Sequence, residues 1–203
     1  MSRRLQIVVF DGFDEIDVFG PYEMLSVPGI SVELATVGDP APVRSMRGIT
    51  MEPTARLESC DGIIVPGGGW MNRADAGVWG EVQRGHLTAR LNELAPTLPW
   101  LASVCSGGMV LASAGLLTDR PATTNPGCYE EFRPLVGSVI EERVVDDGDR
   151  ITAGALFCGV DLGLWLIERE LGSEAADQAS ATKAYTRQGP VWRSDRDPVP
   201  PPR

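Results

Sequence analysis

Short apolar runs typical of buried strands alternate with segments of helical pattern along most of this chain. The runs cover residues 5–10, 30–37, 62–66 and 100–104. They are rich in Val, Ile and Leu, the residues that fill strands covered on both faces of a parallel sheet. Because helical segments of about 10–15 residues separate strands of this kind in α/β proteins, the order predicts an α/β fold with a mostly parallel central sheet.

The length of 203 residues fits one domain. We expect this domain to cover residues 1–188, with helices over 14–26, 79–95 and 160–171, and hairpins turning at Arg47-Gly48 and Asp147-Gly148. The inner face of the first helix should carry Ile16, Phe19, Tyr22 and Leu25. Residues 190–203 hold five of the 16 prolines, so we predict that 189–203 form a proline-rich, flexible C-terminal tail.

The charge balance excludes several classes of partner. Eighteen Lys and Arg against 28 Asp and Glu give a net charge of −10. A nucleic-acid site or an anionic membrane surface would need a basic face, so we expect neither partner. No apolar stretch is long enough for a membrane span. Four separated cysteines without a CxxC pair favour reduced thiols in the cytoplasm over a disulfide framework or a metal site. We also expect no cofactor.

The most informative local motif is residues 100–108, Trp-Leu-Ala-Ser-Val-Cys-Ser-Gly-Gly. A buried strand ends at Cys105, and the glycines allow a helix to begin at once, as in a nucleophile elbow. The N-terminus of that helix should lower the pKa of the thiol. The alternative is a buried cysteine that packs as a small apolar side chain. The pattern alone leaves both interpretations open, whereas Cys60, Cys128 and Cys158 lack such a context.

A second turn, residues 66–70 (Pro-Gly-Gly-Gly-Trp), follows the strand that ends at Pro66. Its backbone N–H groups could approach a ligand closely, as an oxyanion hole requires. A dinucleotide-binding loop is the rival interpretation, but the GxGxxG pattern is absent. A plain glycine turn remains the third possibility.

Four acidic residues lie where the first strand leads into its helix: Asp11, Asp14, Glu15 and Asp17. Helix capping accounts for some of them. A carboxyl group near a thiol in an apolar pocket would have a raised pKa and could donate a proton. The spacing does not decide which acid faces the pocket. The single histidine, His86, lies far along the sequence from both glycine turns, so a catalytic Cys105 would work with a carboxyl group.

Several ordered motifs together resemble the ThiJ/PfpI superfamily, the Parkinsonism-associated deglycase superfamily. They are Ile-Asp-Val-Phe-Gly-Pro-Tyr-Glu at 16–23, Val-Pro-Gly-Gly-Gly at 65–69, Val-Cys-Ser-Gly-Gly at 104–108, Ala-Thr-Thr-Asn at 122–125 and Ile-Thr-Ala-Gly at 151–154. The resemblance covers about residues 5–185. The first motif is similar to the branch that contains isocyanide hydratases.

This resemblance implies a flavodoxin-like three-layer α/β sandwich that forms a homodimer and acts on a small molecule. It implies that Cys105 is the nucleophile, that Asp17 is its acidic partner, and that an isocyanide is hydrated to an N-substituted formamide. Four further positions would polarise or orient the substrate: Gly68, Gly69, Ser106 and Asn125.

Two positions depart from other members of the superfamily. Ser106 stands where protease-like members have His, and Asn125 stands where many relatives have His; an amide cannot act as a base near neutral pH. Both differences favour chemistry by a thiol and a carboxyl group. Two alternatives remain: glyoxalase or deglycase activity on methylglyoxal, and a non-catalytic redox sensor or chaperone in which Cys105 is oxidised to the sulfinic acid.

Overall fold

The computed structural model of the chain describes residues 2–195. Within this range the elements follow one another as β1 (Arg3–Val8), α1 (Glu15–Leu25), β2 (Ile30–Thr36), β3 (Val43–Arg44), β4 (Thr50–Met51), β5 (Ala55–Arg56), β6 (Gly62–Val65), α2 (Val78–Arg84), α3 (His86–Leu94), β7 (Leu101–Val104), α4 (Gly107–Ser113), β8 (Pro121–Ala122), α5 (Tyr129–Phe132), β9 (Ser138–Val139), β10 (Val144–Asp146), β11 (Arg150–Ala153), α6 (Cys158–Leu171), α7 (Ser173–Thr182) and β12 (Val191–Arg193). Short 3₁₀ turns cover Ala95–Thr97, Pro126–Cys128 and Arg133–Leu135.

The central sheet has eight strands in the order β12-β10-β11-β7-β6-β1-β2-β5. Every neighbouring pair is parallel except β10 and β11, which form an antiparallel hairpin. Helices α1, α6 and α7 pack together, and α2, α3 and α4 form a second group. The predicted α/β fold with a mostly parallel sheet is therefore confirmed.

The central strands supply the core, as their apolar runs predict. Leu5, Ile7, Ile63, Ile64 and Leu101 have no exposed surface. Full burial of an aliphatic side chain of this size contributes about 1.5–3 kcal/mol each to folding. These strands hold the loops at their carboxyl ends in fixed positions.

The first helix presents a different face to the core from the one that its apolar pattern predicts. Ile16, Phe19 and Tyr22 are half-buried, and of the predicted inner residues Leu25 alone is fully covered. The helix packs against α6, and this contact turns inward a face that contains a carboxyl group: Asp17, Val18, Pro21, Met24 and Leu25.

One predicted helix and two predicted hairpins can be compared with the elements of the structure. The segment expected as one helix over 79–95 is two helices, because Gly85 takes the left-handed conformation with φ of 74° and ends α2. The hairpin around Arg47-Gly48 is confirmed as antiparallel pairing of β3 with β4. The hairpin at Asp147-Gly148 is formed by β10 and β11, whereas β9 pairs with β8.

The predicted C-terminal tail begins with a short strand, β12. β12 pairs in parallel with β10 at the edge of the central sheet, so residues 191–193 of the predicted tail belong to the sheet. Asp161 on α6 anchors the segment before it, accepting hydrogen bonds from the Tyr185 hydroxyl and the Gln188 N–H at 3.0 Å each. Residues 196–203, with four of the five prolines, lie outside the described part of the chain.

Three neighbouring strands, β7, β6 and β1, place their carboxyl ends side by side. β7 leads into Cys105, β6 leads into the glycine loop, and β1 leads into α1. Asp17 and Cys105, which are 88 positions apart in the sequence, thus lie at the same edge of the sheet. Among residues 2–195, no helix combines the length and the apolar character needed to cross a membrane.

Candidate active site

Cys105 occupies a strained turn between β7 and α4. Its φ is +56°, a left-handed conformation that costs a non-glycine residue about 1–3 kcal/mol. The Cys105 N–H donates to the carbonyl oxygens of Ala153 and Gly154 at 3.1 and 2.8 Å, and its own carbonyl accepts from the Thr124 hydroxyl at 2.8 Å. These bonds hold the strained turn, which has the geometry of the predicted nucleophile elbow.

The sulfur of Cys105 is nearly covered, since the residue is 5% exposed. The Asn125 amide nitrogen lies 3.1 Å from Sγ. The Asn125 oxygen accepts a hydrogen bond from the Gly127 N–H at 2.9 Å, so the NH₂ group is the part of the amide that faces the sulfur. Backbone N–H groups of Leu156 and Ser106 also stabilise the thiolate.

These donors do not produce an acidic thiol. Burial, followed by the nearby Asp17 carboxyl group, raises the pKa of Cys105 to about 12, although Asn125, Leu156 and Ser106 act in the opposite direction. The prediction of a lowered pKa is therefore wrong for the free protein. The reason is that Cys105 is buried beside an acidic group, which outweighs the donors around the sulfur.

Asp17 is fully buried in the first turn of α1. Its Oδ2 accepts a hydrogen bond from the Gly67 N–H at 3.0 Å, whereas Oδ1 has no hydrogen-bond partner among the described residues. Burial and then the charge of Asp14 raise the pKa of Asp17 to about 8, against the effects of Gly67 and of the Cys105 thiol. A neutral carboxyl group with a free Oδ1 beside the thiol is able to transfer a proton.

The four acidic residues of the first loop have separate partners. Asp14 caps α1, with its Oδ1 accepting from the Ile16 N–H at 3.1 Å. Asp11 accepts from the Arg44 N–H at 2.8 Å and Glu15 binds the side chain of Arg47 at 2.6 Å, so both hold the β3–β4 hairpin. Of the four, Asp17 alone interacts with the Cys105 thiol.

The glycine loop separates the Asp17 carboxyl group from the Ser106 side chain. A Cβ at Gly67 would lie 2.7 Å from the Ser106 Oγ and 2.8 Å from the Asp17 Oδ2, so no larger residue fits there. The Gly68 N–H donates to the Ser106 Oγ at 3.0 Å and is therefore engaged within the protein rather than free for a substrate.

Gly69 occupies a different surface of the loop. It lines a cavity of about 440 Å³ together with residues of the β1–α1 turn, the β3–β4 hairpin and the 72–76 loop. The lining does not include Cys105, Asp17 or Asn125. Of the predicted site residues, Asp17, Cys105, Ser106 and Asn125 are thus joined in one network with Gly67 and Gly68, and Gly69 borders it.

Comparison with known proteins gives the family. The sequence profile of the DJ-1/PfpI family matches residues 3–169. The chain belongs to this family. An isonitrile hydratase of Pseudomonas putida is 31% identical over 205 residues, covering 98% of this chain and 86% of that protein. The Parkinson disease protein 7 homolog of Danio rerio is 25% identical, covering 89% of this chain and 96% of that protein.

A solved structure of a ThiJ/PfpI family protein from Pseudomonas syringae has the same fold. It superposes with a TM-score of 0.82 and 26% identity, covering 94% of this chain and 78% of that one. The DJ-1/PfpI assignment agrees with the motifs from which the sequence resemblance was drawn, and with the flavodoxin-like architecture that it implied.

Three groups that interact with Cys105 or Asp17 could not be selected from the sequence. Leu156 reaches the sulfur through its backbone, in a left-handed conformation with φ of 48°. Cys158 is close enough to Asp17 for that carboxyl group to contribute to its raised pKa, of which burial is the main cause. Arg47 acts on Asp17 from the hairpin. No residue pattern marks a backbone contact or a contact between distant loops.

Two other predictions concern groups outside this network. His86 is the exposed first residue of α3, and no contact links it to Cys105. Within residues 2–195, no group of three or more His, Cys, Asp or Glu side chains is arranged to hold a metal ion.

Proposed function

We propose that this protein is a cysteine-dependent enzyme that hydrates a small isocyanide to an N-substituted formamide. The observation that carries the proposal is the buried pair formed by the Cys105 thiol and the Asp17 carboxyl group, whose pKa of about 8 keeps it mainly protonated at neutral pH. The similarity to an isonitrile hydratase supports the same reaction, because isonitrile and isocyanide are two names for one functional group.

In the first step, the terminal carbon of the isocyanide accepts a proton and the sulfur. Asp17 gives its proton to this carbon while the Cys105 sulfur forms the carbon–sulfur bond, and the thiol proton passes to the carboxyl group. Asp17 therefore ends the step protonated, and the product is a thioimidate with a carbon–nitrogen double bond. The Asn125 amide stabilises charge on the sulfur, and a hydrogen bond to a charged group contributes about 1.5–3 kcal/mol.

In the second step, water adds to the thioimidate carbon. One proton of the water goes to the nitrogen and its oxygen forms the new carbon–oxygen bond. The carbon–sulfur bond then breaks, and Asp17 transfers the remaining water proton to the sulfur. The products are an N-substituted formamide and the free Cys105 thiol, so all atoms and protons are accounted for.

The same geometry favours hydration over the two alternatives. Methylglyoxal chemistry benefits from a base at position 125, whereas Asn125 directs an NH₂ group at the sulfur. Rapid oxidation by peroxide requires a thiolate, and a thiol with a pKa of about 12 is protonated at neutral pH.

Turnover of an alkyl or aryl isocyanide to its formamide, followed by chromatography, tests the proposal. The wild-type protein should form the formamide, and Cys105→Ala should abolish its formation. Asp17→Asn should slow it by about 100- to 10,000-fold, since it keeps the shape of the carboxyl group without its proton transfer. The matched control is Cys60→Ala, which removes a half-buried thiol two residues before β6 and should retain full turnover.

Absence of formamide in the wild type, or full turnover by Cys105→Ala, contradicts the proposal. The same preparations are to be given methylglyoxal, and robust formation of lactate would favour the glyoxalase alternative. Mass spectrometry after mild peroxide treatment tests the redox-sensor alternative. Oxidation of Cys105 to the sulfinic acid without any turnover would favour a sensor.

The cytoplasmic location and the homodimer, which the sequence and its family resemblance suggested, belong to this proposal as well. Within residues 2–195, several large apolar side chains are strongly exposed, with Phe157 at 62% and Met71 at 61%.

A further inference from the structure

The β3–β4 hairpin is fixed on the turn that leads from β1 into α1. The Gly12 N–H donates to the Arg44 carbonyl at 2.8 Å, and the Met46 N–H donates to the Phe13 carbonyl at 2.9 Å. The Arg47 N–H adds a bond of 2.8 Å to the Glu15 carboxyl group. Arg47 is therefore held in place over the N-terminus of α1 by its backbone as well as by its side chain.

The guanidinium of Arg47 joins two carboxyl groups. Its Nη1 lies 2.6 Å from the Glu15 Oε2 and 3.1 Å from the Asp14 Oδ2. The Arg47 side chain is 59% exposed, whereas those of Asp14 and Glu15 are 6% and 13% exposed. The arginine thus covers two negative charges that are largely removed from water.

Asp14 is connected to Asp17 through the backbone N–H and carbonyl groups of Gly67. The Asp14 N–H donates to the Gly67 carbonyl at 2.8 Å, and the Gly67 N–H donates to the Asp17 Oδ2 at 3.0 Å. The charge of Asp14 raises the pKa of Asp17 and that of Arg47 lowers it, both acting in addition to the larger effect of burial. The other titratable groups that act on or respond to Asp17 are two thiols, Cys105 and, on α6, Cys158.

We propose that the ion pair of Arg47 and Asp14 positions Asp17 and decides over which pH range its carboxyl group holds a proton. This inference rests on the proposed function, in which that proton is transferred to the substrate. Arg47 touches neither the sulfur nor the carboxyl group of Asp17; it acts by its charge and through its ion pair with Asp14, so it is a positioning residue. The hairpin thereby becomes part of the site, although it contains none of the reacting atoms.

Because Asp14 and Arg47 carry opposite charges, removing one or the other should move the titration midpoint of Asp17 in opposite directions. In protein labelled with ¹³C at the aspartate carboxyl carbons, NMR follows the titration of Asp17, whose signal is assigned by its loss in Asp17→Asn. Arg47→Gln should raise the titration midpoint by about half a pH unit, and Asp14→Asn should lower it by a similar amount. Asn is also a good helix cap, so Asp14→Asn keeps the start of α1.

Two further variants separate charge from structure. Arg47→Lys retains the positive charge and should restore the wild-type midpoint to within a few tenths of a unit. Arg44→Gln changes the other arginine of the hairpin, whose side chain lies against Gly48, and should leave the midpoint unchanged. Equal midpoints in all variants, or shifts of the same sign in Arg47→Gln and Asp14→Asn, would overturn the proposal.

The NMR titration needs no substrate, so the role of the Arg47–Asp14 ion pair is tested independently of isocyanide turnover. If the midpoints move as stated and no isocyanide is turned over, the inference holds and the proposed function fails. If isocyanide turnover is found, the pH profile of its rate should shift in the same direction as the midpoint in each variant. Turnover with an unmoved midpoint contradicts the inference alone.

Discussion

At residue 67 the backbone lies between the Asp17 carboxyl group and Ser106, the residue that follows Cys105. The Gly67 N–H holds the Asp17 Oδ2, and the following N–H, of Gly68, holds the Ser106 hydroxyl. The sequence indicates a glycine-rich turn here, but its role in spacing Asp17 from the elbow depends on two loops that meet only in the folded chain. The same is true of Asn125, whose NH₂ orientation is set by the Gly127 N–H.

Gly67→Ala should reduce isocyanide turnover by about 100-fold, the cost of displacing reacting groups by about 1 Å. A Cβ at this position would lie 2.7–2.8 Å from the Ser106 and Asp17 oxygens, so these side chains must move. The rate of formamide formation measures the effect. Gly38→Ala is the control, since its Cβ would meet nothing within 4 Å. Equal rates for the two variants would show that the spacing is unimportant.

At the level of elements, the apolar runs predicted the central strands well because strands buried on both faces have little freedom in composition. Helix faces were harder to predict. α1 turns Asp17 inward and leaves Ile16 and Phe19 half-buried, because packing against α6 decides the orientation of the helix. The β3–β4 hairpin was predicted from its turn, but its attachment to α1 through Glu15 and Arg47 was not.

Glu15→Gln should destabilise the protein in a pH-dependent way. Partial burial opposes ionisation of Glu15, but hydrogen bonds from Ser45 and Arg47 outweigh it and lower the pKa of the carboxyl group from 4.5 to about 2. A lowered pKa contributes stability that is present above pH 4.5 and is lost as the pH falls towards 2. Urea unfolding from pH 2 to 7 should therefore give a difference from the wild type that is largest near neutral pH and shrinks on acidification. Glu52→Gln, at an exposed position beyond the same hairpin, should show no such trend.

For the whole molecule, the buried acid of the site should oppose folding at high pH. The pKa of Asp17 is raised from 3.8 to about 8 by burial and by Asp14. An acid with a raised pKa contributes stability that is fully present below pH 3.8 and is lost as the pH rises towards 8. A reactive carboxyl group in this position is thus a liability for stability, as is common at active sites.

Asp17→Asn removes this dependence. The free energy of unfolding of the variant, minus that of the wild type, should increase between pH 4 and pH 8 and level off above that range. Denaturant unfolding at several pH values measures the difference. Asp39→Asn, whose side chain is 95% exposed, is the control and should follow the wild type. Parallel stability curves for Asp17→Asn and the wild type would contradict the raised pKa.

The sequence by itself determined the α/β class, the central strands of the sheet and the family, and it indicated a turn at Cys105, because each depends on local composition or on a short ordered motif. The tertiary structure decided which of four acids faces the thiol, that Cys105 has a raised rather than a lowered pKa, and that β12 extends the sheet. These features depend on burial and on contacts between residues distant in sequence, and neither can be read from the spacing of residues along the chain.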